Sequence, residues 1–210
     1  EVAAAAGAKV YAAVWQDDFS GPRNMAVERA EGDWILFLDA DEAFEQPDSL
    51  RTALETMIPQ HPGMDAVLFP RLNIEPSDGS TQSLSYDMRF FRRMKEIRYE
   101  GRIHEHIVKK GGILNLQYAP KTLAILHTGY AAALAPAKAA RNLAILKDEI
   151  RMGRMADGYD YYLADCYYGI KDYDQALLHA RASIEGLVQM IGDESHMYHV
   201  LLECMRKRSD

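Results

Sequence analysis

One apolar segment that ends in acidic residues constrains the fold of this chain more than any other feature. Residues 34–38 read WILFL, and residues 39–42 read DADE. An uninterrupted apolar run of this length is typical of a strand that is buried on both faces of a parallel sheet. Open α/β folds bind their ligands at the carboxyl edge of such a sheet. We therefore expect Asp39 and Asp41 to lie at a ligand site, the alternative being that acidic residues simply end a strand at the surface.

The segments on either side alternate between strand and helix patterns. The spacing predicts a helix over residues 21–31, with Ser20 as its N-cap and Gly32 at its end, and a second helix that starts at Pro47. Turn-forming residues occupy positions 75–80. Strands are predicted over residues 9–15, 34–38, 66–69, 88–91, 97–99, 102–108 and 123–127. This alternation indicates an α/β layer.

From Pro136 onward the apolar residues recur at helical spacing, which predicts four amphipathic helices. The four stripes are Ala139, Leu143, Leu146 and Ile150; Leu163, Cys166, Tyr167 and Ile170; Tyr173, Leu177, Ala180, Ile184 and Leu187; and Met197, Val200, Leu201 and Cys204. The second and third helices match the tetratricopeptide pattern, through Leu163, Ala164, Tyr167, Ala176, Ala180 and Ser183. Since one such repeat cannot bury its own face, we expect the first and fourth helices to cover it. We place the two domains at residues 1–130 and 131–210.

Charge and composition exclude several classes of function. The net charge of −7, from 24 basic and 31 acidic residues, disfavours binding to a phosphate backbone, so no nucleic-acid partner is expected. No apolar run approaches the ~18–20 residues that span a bilayer, so no transmembrane segment is expected. Cys166 and Cys204 lack metal-site spacing and are predicted to be core residues. These features fit a cytoplasmic protein.

The two aspartates after the apolar segment suit a divalent cation. Carboxylate oxygens are the ligands that Mg²⁺ and Mn²⁺ prefer, and these ions usually share their remaining positions with waters and substrate phosphates. Asp39 and Asp41 therefore predict a site for a nucleotide diphosphate.

The order of the motifs resembles that of family 2 glycosyltransferases with a GT-A fold. The resemblance rests on residues 17–24 (DDFSGPRN), 33–42 (DWILFLDADE), 88–92 (MRFFR), 99–105 (YEGRIHE) and 127–130 (HTGY), followed by the tetratricopeptide-like tail. The chain is similar to the bacterial subgroup of this family that carries tetratricopeptide repeats. This subgroup includes peptide S-glycosyltransferases acting on bacteriocin precursors. The implied architecture is a partial, Rossmann-like GT-A mixed sheet followed by an all-α tail.

This resemblance implies an inverting, metal-dependent enzyme that moves a sugar from a nucleotide-diphosphate donor, a UDP-sugar, to a peptide, glycan or lipid-linked acceptor. Asp39 and Asp41 would bind Mn²⁺ or Mg²⁺, with Asp41 as the direct ligand and Asp39 facing the ribose or sugar. Arg23, Asn24 and Arg89 would contact the donor, the alternative being ordinary solvated side chains.

Glu105 is the candidate general base, since inverting transfer needs a carboxylate to take the proton of the acceptor hydroxyl or thiol. The alternative base lies in the Asp41–Glu42 neighbourhood. His104 and His127 compete as a further metal ligand, and the sequence does not rank them against each other or against a purely structural role. The tyrosines in residues 159–162 could form a sugar or peptide platform, although helical spacing favours a place in the repeat core.

In the resembled family, the strands that hold the nucleotide base and ribose precede the point at which this chain begins. We therefore expect these residues to belong to a longer chain and to have weak or no activity alone. The helical tail would recruit a peptide acceptor or form a homodimer. Two other functions compete: a haloacid-dehalogenase-like phosphatase, disfavoured because EAF follows the aspartates at residues 42–44, and a non-catalytic tetratricopeptide interaction module.

Overall fold

The computed structural model describes residues 2–129, 135–154, 158–186 and 195–209. Its elements form a mixed sheet with flanking helices, followed by a tail of four helices. The helices are α1 (Val2–Ala5), α2 (Ser20–Arg29), α3 (Pro47–Gln60), α4 (Ala135–Arg151), α5 (Tyr159–Gly169), α6 (Tyr173–Glu185) and α7 (His196–Ser209). The strands are β1 (Trp34–Leu36), β2 (Glu42–Phe44), β3 (Ala66–Ile74), β4 (Thr81–Arg92), β5 (Ile97–Glu100), β6 (His106–Lys109), β7 (Leu116–Tyr118) and β8 (Ile125–His127), with a 3₁₀ turn at Lys121–Leu123.

The main sheet runs in the order β1-β4-β3-β8-β2, and β7 also pairs with β3. The pairs β1–β4, β3–β4 and β2–β8 are antiparallel, whereas β7 and β8 both run parallel to β3. β5 and β6 form a separate antiparallel pair. This mixed sheet with its helical tail confirms the predicted fold class.

The hairpin of β3 and β4 is the longest feature of the sheet, and its turn lies in residues 75–80 as predicted. Gly79 has a φ of +72°, and its N–H donates to the carbonyl of Glu75. β4 begins at Thr81, well before the strand predicted over residues 88–91. Residues 81–84 are exposed and mostly polar, so their strand conformation comes from pairing with β3 and leaves no apolar signal.

The apolar segment 34–38 forms a shorter strand than expected, and the prediction that it is a parallel strand is wrong. β1 ends at Leu36 and pairs antiparallel with β4 at the edge of the described sheet. Ile35 is buried, but Leu36 is 39% exposed. Side chains of this segment still pack on both faces of the sheet, Trp34 and Leu38 in one core cluster and Ile35 and Phe37 in another, so its apolar sequence reflects cover on both faces.

Residues 9–15 form no strand, in contrast to the prediction. They are exposed, and Val14 keeps 84% of its surface accessible. No described strand pairs with their backbone, and an extended segment becomes a strand only through such pairing. Two side-chain contacts hold the segment near α2: Lys9 with Glu31, and Tyr11 beneath the guanidinium of Arg29.

Helix α2 occupies the predicted place, but Asp18 rather than Ser20 caps it. The Asp18 Oδ1 accepts hydrogen bonds from Ser20 N at 2.8 Å and from Gly21 N at 3.1 Å. The Ser20 hydroxyl donates to the same oxygen. Phe19 already has helical dihedral angles, which moves the capping position upstream of Ser20.

Helices cover both sides of the sheet region. The side chains Leu54 and Met57 of α3 pack with Phe69 and Ile125 in one core cluster. Val27 of α2 and Ala30, directly after this helix, pack in a second cluster with buried side chains of β1, β4, β5 and β6, namely Ile35, Phe91, Ile97, Tyr99 and Ile107. The sheet is therefore held between α3 on one face and α2 with the β5–β6 pair on the other.

The tail forms a third core cluster to which α4, α5, α6 and α7 all contribute. The residues that matched the tetratricopeptide pattern are all buried: Leu163, Ala164, Tyr167, Ala176, Ala180 and Ser183. Tyr161 is buried as well, which favours the repeat core over an exposed aromatic platform. Cys166 and Cys204 are buried free cysteines, as predicted. Leu187 and the boundary at residues 130 and 131 lie outside the described residues.

No helix in the described ranges is both long enough and apolar enough to cross a membrane.

Replacing Asp18 with Ala should destabilise the protein by about 1 kcal/mol, because two backbone N–H groups at the start of α2 lose their acceptor. Urea unfolding followed by circular dichroism measures the change. Ser20→Ala is the matched control and should cost less than about 0.5 kcal/mol, since it removes only a hydroxyl donor. A larger loss for Ser20→Ala than for Asp18→Ala would contradict this assignment.

Candidate active site

The Arg23 guanidinium joins the segment after β1 to the loop between β5 and β6. Arg23 is the fourth residue of α2, and its Nε donates to Glu105 Oε1 at 2.6 Å. Its two terminal nitrogens lie 2.8 and 3.0 Å from the two carboxylate oxygens of Asp39. Three residues that the sequence singled out separately therefore meet in one ion-pair network.

Aromatic rings surround this guanidinium. The Arg23 Cζ lies 4.8 Å from the ring centre of Phe37 and 5.4 Å from that of Tyr99. Burial alone would lower the pKa of Arg23, but the carboxylates of Asp39 and Glu105 raise it above its ordinary value. Burial raises the pKa of Tyr99 to about 12, so its phenol is neutral at pH 7.

A second arginine, Arg89 on β4, holds Asp39 from another side. Its Nη2 lies 3.1 Å from Asp39 Oδ2 and also contacts Glu42 Oε1. Glu42 Oε2 accepts a hydrogen bond from the Asp39 N–H at 3.0 Å, and the Glu42 N–H donates to the Asp39 carbonyl. The Glu42 side chain is fully buried. Glu42 thus fixes the conformation of residues 39–42 while neutralising Arg89.

These contacts keep Asp39 ionised. Burial would raise the pKa of Asp39, but the hydrogen bonds and charge of Arg23, together with the charge of Arg89, hold it below its ordinary value. Both carboxylate oxygens are already engaged by guanidinium groups.

Asp41 lies in a different environment, beside His127. The register of β2 with β8 pairs Glu42 with His127, and this brings Asp41 Oδ2 to 3.5 Å from His127 Nε2. The Thr128 N–H donates to the Asp41 carbonyl at 3.1 Å. The Asp41 side chain is 41% exposed, compared with 33% for Asp39 and 12% for Glu105.

Asn73 orients His127. Its Nδ2 donates to Ser83 Oγ at 2.6 Å, which turns its Oδ1 toward His127 Nδ1 at 2.8 Å. Because an amide oxygen can only accept, this contact places the imidazole proton on Nδ1 and leaves the lone pair of Nε2 toward Asp41. Burial and the charge of Arg71 lower the pKa of His127, so the ring is neutral at pH 7.

The backbone of Gly129 packs closely against this pair and leaves no room for a side chain. A Cβ at that position would lie 2.1 Å from Asp41 Oδ2 and 2.6 Å from His127 Nε2. Among the described residues, no group of three or more His, Cys, Asp or Glu side chains is arranged to hold a metal ion. One carboxylate and one imidazole form an incomplete donor set, which suits a cation that takes its other ligands from water and phosphate.

His104 and Asn24 make other contacts. The His104 ring stacks on Tyr162 of α5, with 3.5 Å between ring centres and 10° between planes. Although the residue retains accessible surface, desolvation of its ring lowers the pKa to about 4. Both polar groups of the Asn24 side chain bond the backbone of Tyr99, at 2.9 Å each. The structure therefore gathers Arg23, Asp39, Arg89 and Glu105 and pairs Asp41 with His127, whereas the ring of His104 stacks on the helical tail.

The sequence pointed to Glu42 only as part of the alternative base and did not point to Asn73 at all. Glu42 had a usable signal, because an acidic side chain three residues after another can bond back to the earlier backbone N–H, as in a helix capping box. Asn73 is a buried polar residue within a strand, and nothing in the local sequence reveals that it meets His127.

The mixed sheet and the helical tail agree with the comparisons with known proteins. Residues 1–112 match the profile of Glycosyl transferase family 2, and the chain belongs to this family. It is 39% identical over 106 residues to a TPR repeat-containing protein of Synechococcus elongatus, covering 50% of this chain and 24% of that protein. It is 28% identical over 116 residues to the SPbeta prophage-derived glycosyltransferase SunS of Bacillus subtilis, covering 55% of this chain and 26% of SunS. The matches thus span about a quarter of the length of these curated relatives.

Replacing Arg89 with Leu should destabilise the protein by about 3 kcal/mol, because the buried carboxylate of Glu42 loses its main charge partner. This loss of unfolding free energy is at the lower end of the range for breaking a buried ion pair, because Arg71 Nη1 lies 4.0 Å from the same Glu42 carboxylate. Arg98→Leu is the matched control, since Arg98 and Glu100 form an exposed pair whose loss should cost less than about 1 kcal/mol. Equal losses in urea unfolding would contradict a special role for the Arg89–Glu42 pair.

Proposed function

We propose that this chain forms the metal and acceptor side of an inverting glycosyltransferase. It would move a sugar from a nucleotide-diphosphate donor, a UDP-sugar, to a peptide, glycan or lipid-linked acceptor. Family membership supports sugar transfer, and one relative is named as a glycosyltransferase. The observation that carries the proposal is the partly exposed Asp41 carboxylate, whose Oδ2 lies 3.5 Å from His127 Nε2.

Asp41 and His127 are the residues proposed to hold Mn²⁺ or Mg²⁺. A carboxylate oxygen and a neutral imidazole nitrogen form an acceptable donor pair for Mn²⁺, and Asn73 fixes the imidazole in the tautomer that can ligate. Such an ion stabilises the negative charge that develops on the departing nucleoside diphosphate. Asp39 is proposed to order Arg23 and Arg89 rather than to bind the ion, because its oxygens already contact both guanidinium groups.

Glu105 is proposed to act as the general base. In the inverting step, the acceptor oxygen or sulfur forms a bond to the anomeric carbon while the bond from that carbon to the diphosphate oxygen breaks on the opposite face. The acceptor proton passes to the Glu105 carboxylate. Arg23 holds that carboxylate at 2.6 Å and thereby sets its position relative to Asp39.

A second candidate function is a non-catalytic interaction module built on the helical tail. The buried tetratricopeptide pattern and the relative named as a TPR repeat-containing protein favour it. Absence of both metal binding and sugar-nucleotide turnover, in protein expressed from the complete reading frame, would support this module over the enzyme.

Asp41→Asn and His127→Ala should each weaken Mn²⁺ binding at least about tenfold, because each removes one of two protein ligands. Electron paramagnetic resonance of free Mn²⁺ during titration measures the dissociation constant. His104→Ala is the matched histidine control and should leave Mn²⁺ binding unchanged, since its ring stacks on Tyr162. A loss confined to His104→Ala would reverse the assignment.

Glu105→Gln should lower kcat of sugar transfer by about 100-fold to 10,000-fold, because the amide cannot accept the proton of the acceptor. The KM for the sugar nucleotide should stay near the wild-type value. Steady-state kinetics with protein from the complete reading frame measure both constants. Glu100→Gln, at the exposed end of β5, serves as the control. A wild-type kcat for Glu105→Gln would exclude Glu105 as the base.

A further inference from the structure

The loop at residues 101–105, here called the base loop, lies between β5 and β6 but packs into the helical tail. Ile103, at its centre, is 8% exposed and belongs to the core cluster of α4, α5, α6 and α7. The ends of the loop are held by the hairpin, in which Glu100 pairs with His106. The hairpin therefore fixes the two ends of the loop, and the tail fixes its middle.

An ion-pair cluster attaches the base loop to α4. The Arg102 Nη1 lies 2.6 Å from Asp148 Oδ2 and 2.9 Å from Glu149 Oε1. Glu149 is 7% exposed, so this acid depends on Arg102 and on a longer contact with Arg154 for its charge partners. Because this buried carboxylate would otherwise keep only the longer contact with Arg154, its pair with Arg102 favours the docked position of the loop.

The backbone of the base loop needs this external support. Gly101 has a φ of +102°, and a Cβ there would approach the Ile103 carbonyl to 3.2 Å. His104 has a φ of +52°, a left-handed conformation that is uncommon for a residue with a side chain. Stacking of its ring on Tyr162 of α5 holds His104 in this conformation, immediately before Glu105.

The helix that carries Arg23, the ion-pair partner of Glu105, is also held against the tail. Phe19 precedes the helix that carries Arg23, packs against the tail core, and lies 4.9 Å from the Arg141 guanidinium of α4. The Phe19 N–H also donates to the Arg102 carbonyl at 2.8 Å. Both sides of the Arg23–Glu105 contact are thus tied to the helical tail.

We propose that the helical tail is a positioning element of the active site, which holds the Glu105 carboxylate in place through Ile103, Arg102 and His104. This inference rests on the proposed role of Glu105 as the base. Tyr162 and Glu149 then act as positioning residues on the tail, through their contacts with His104 and Arg102. Loosening them should displace the base and lower kcat without changing the affinity for the sugar nucleotide.

Tyr162→Ala and His104→Ala test this proposal, because each removes one half of the stack. We expect each to lower kcat by about tenfold to 100-fold with donor KM within about twofold, since misplacement of a reacting group by about 1 Å has an effect of this size. The double variant should lose little more than either single variant, because both act through one contact. Tyr162→Phe keeps the ring and should restore kcat. Tyr198→Ala, at an exposed tyrosine of α7, is the control for general effects of removing a ring from the tail.

Hydrogen exchange measured by mass spectrometry separates this proposal from the proposed function. Tyr162→Ala should speed exchange of amides 102–105 by about tenfold or more, as expected when a local contact is lost. If the wild-type protein transfers no sugar, the proposed function fails, but the exchange result still decides whether the tail holds the loop. Wild-type exchange and wild-type kcat in both Tyr162→Ala and His104→Ala would overturn the proposal, as would an equal loss of kcat in Tyr198→Ala.

Discussion

The Arg23 guanidinium is the point at which three separate segments of the chain meet. Its partners lie 16 and 82 residues away in sequence, one after the apolar strand and one in the base loop. Removing Arg23 would leave the largely buried Glu105 carboxylate without its ion-pair partner, which costs more than the loss of an exposed pair. The relative positions of Asp39 and Glu105 are therefore fixed by one side chain, which the aromatic rings of Phe37 and Tyr99 hold in place.

This constraint separates the two aspartates, which look equivalent in sequence. Asp39 lies between two guanidinium groups, so its charge is already balanced and its oxygens are engaged. Asp41 faces the neutral ring of His127 and is more exposed, so its negative charge is less compensated by the protein. A cation that approaches this edge of the sheet would find Asp41 the more available ligand. The two aspartates differ in availability because the strands around them bring different side chains to each one. The two-residue motif itself does not encode this difference.

Elements that depend on local patterns were predictable. The helices α2 and α3, the turn of the long hairpin and the burial of the tetratricopeptide positions follow from spacing and turn chemistry. The pairing of strands could not be predicted, because apolar content does not show which strand lies beside another. Residues 9–15, which form no strand, and the edge position of β1 illustrate this. The sequence predicted which residues form the candidate site but not which of them contact one another. His104 and His127 could not be ranked, since the pairing of β2 with β8 brings only His127 to Asp41, while the base loop carries His104 to α5.

The sheet domain and the helical tail are separate in sequence, but they share part of one hydrophobic core. Two residues of the sheet domain, Phe19 and Ile103, contribute to the core of the tail, and burial of one large apolar side chain is worth about 1.5–3 kcal/mol. Part of the free energy that stabilises the repeat pair therefore comes from segments flanking the Arg23–Glu105 contact. Since a single helical repeat leaves a face uncovered, the tail gains stability from this docking, and the loop gains a fixed conformation. The same buried contacts thus stabilise the tail and fix the geometry of the site. A substitution that weakens these contacts would therefore both destabilise the tail and displace the residues of the site.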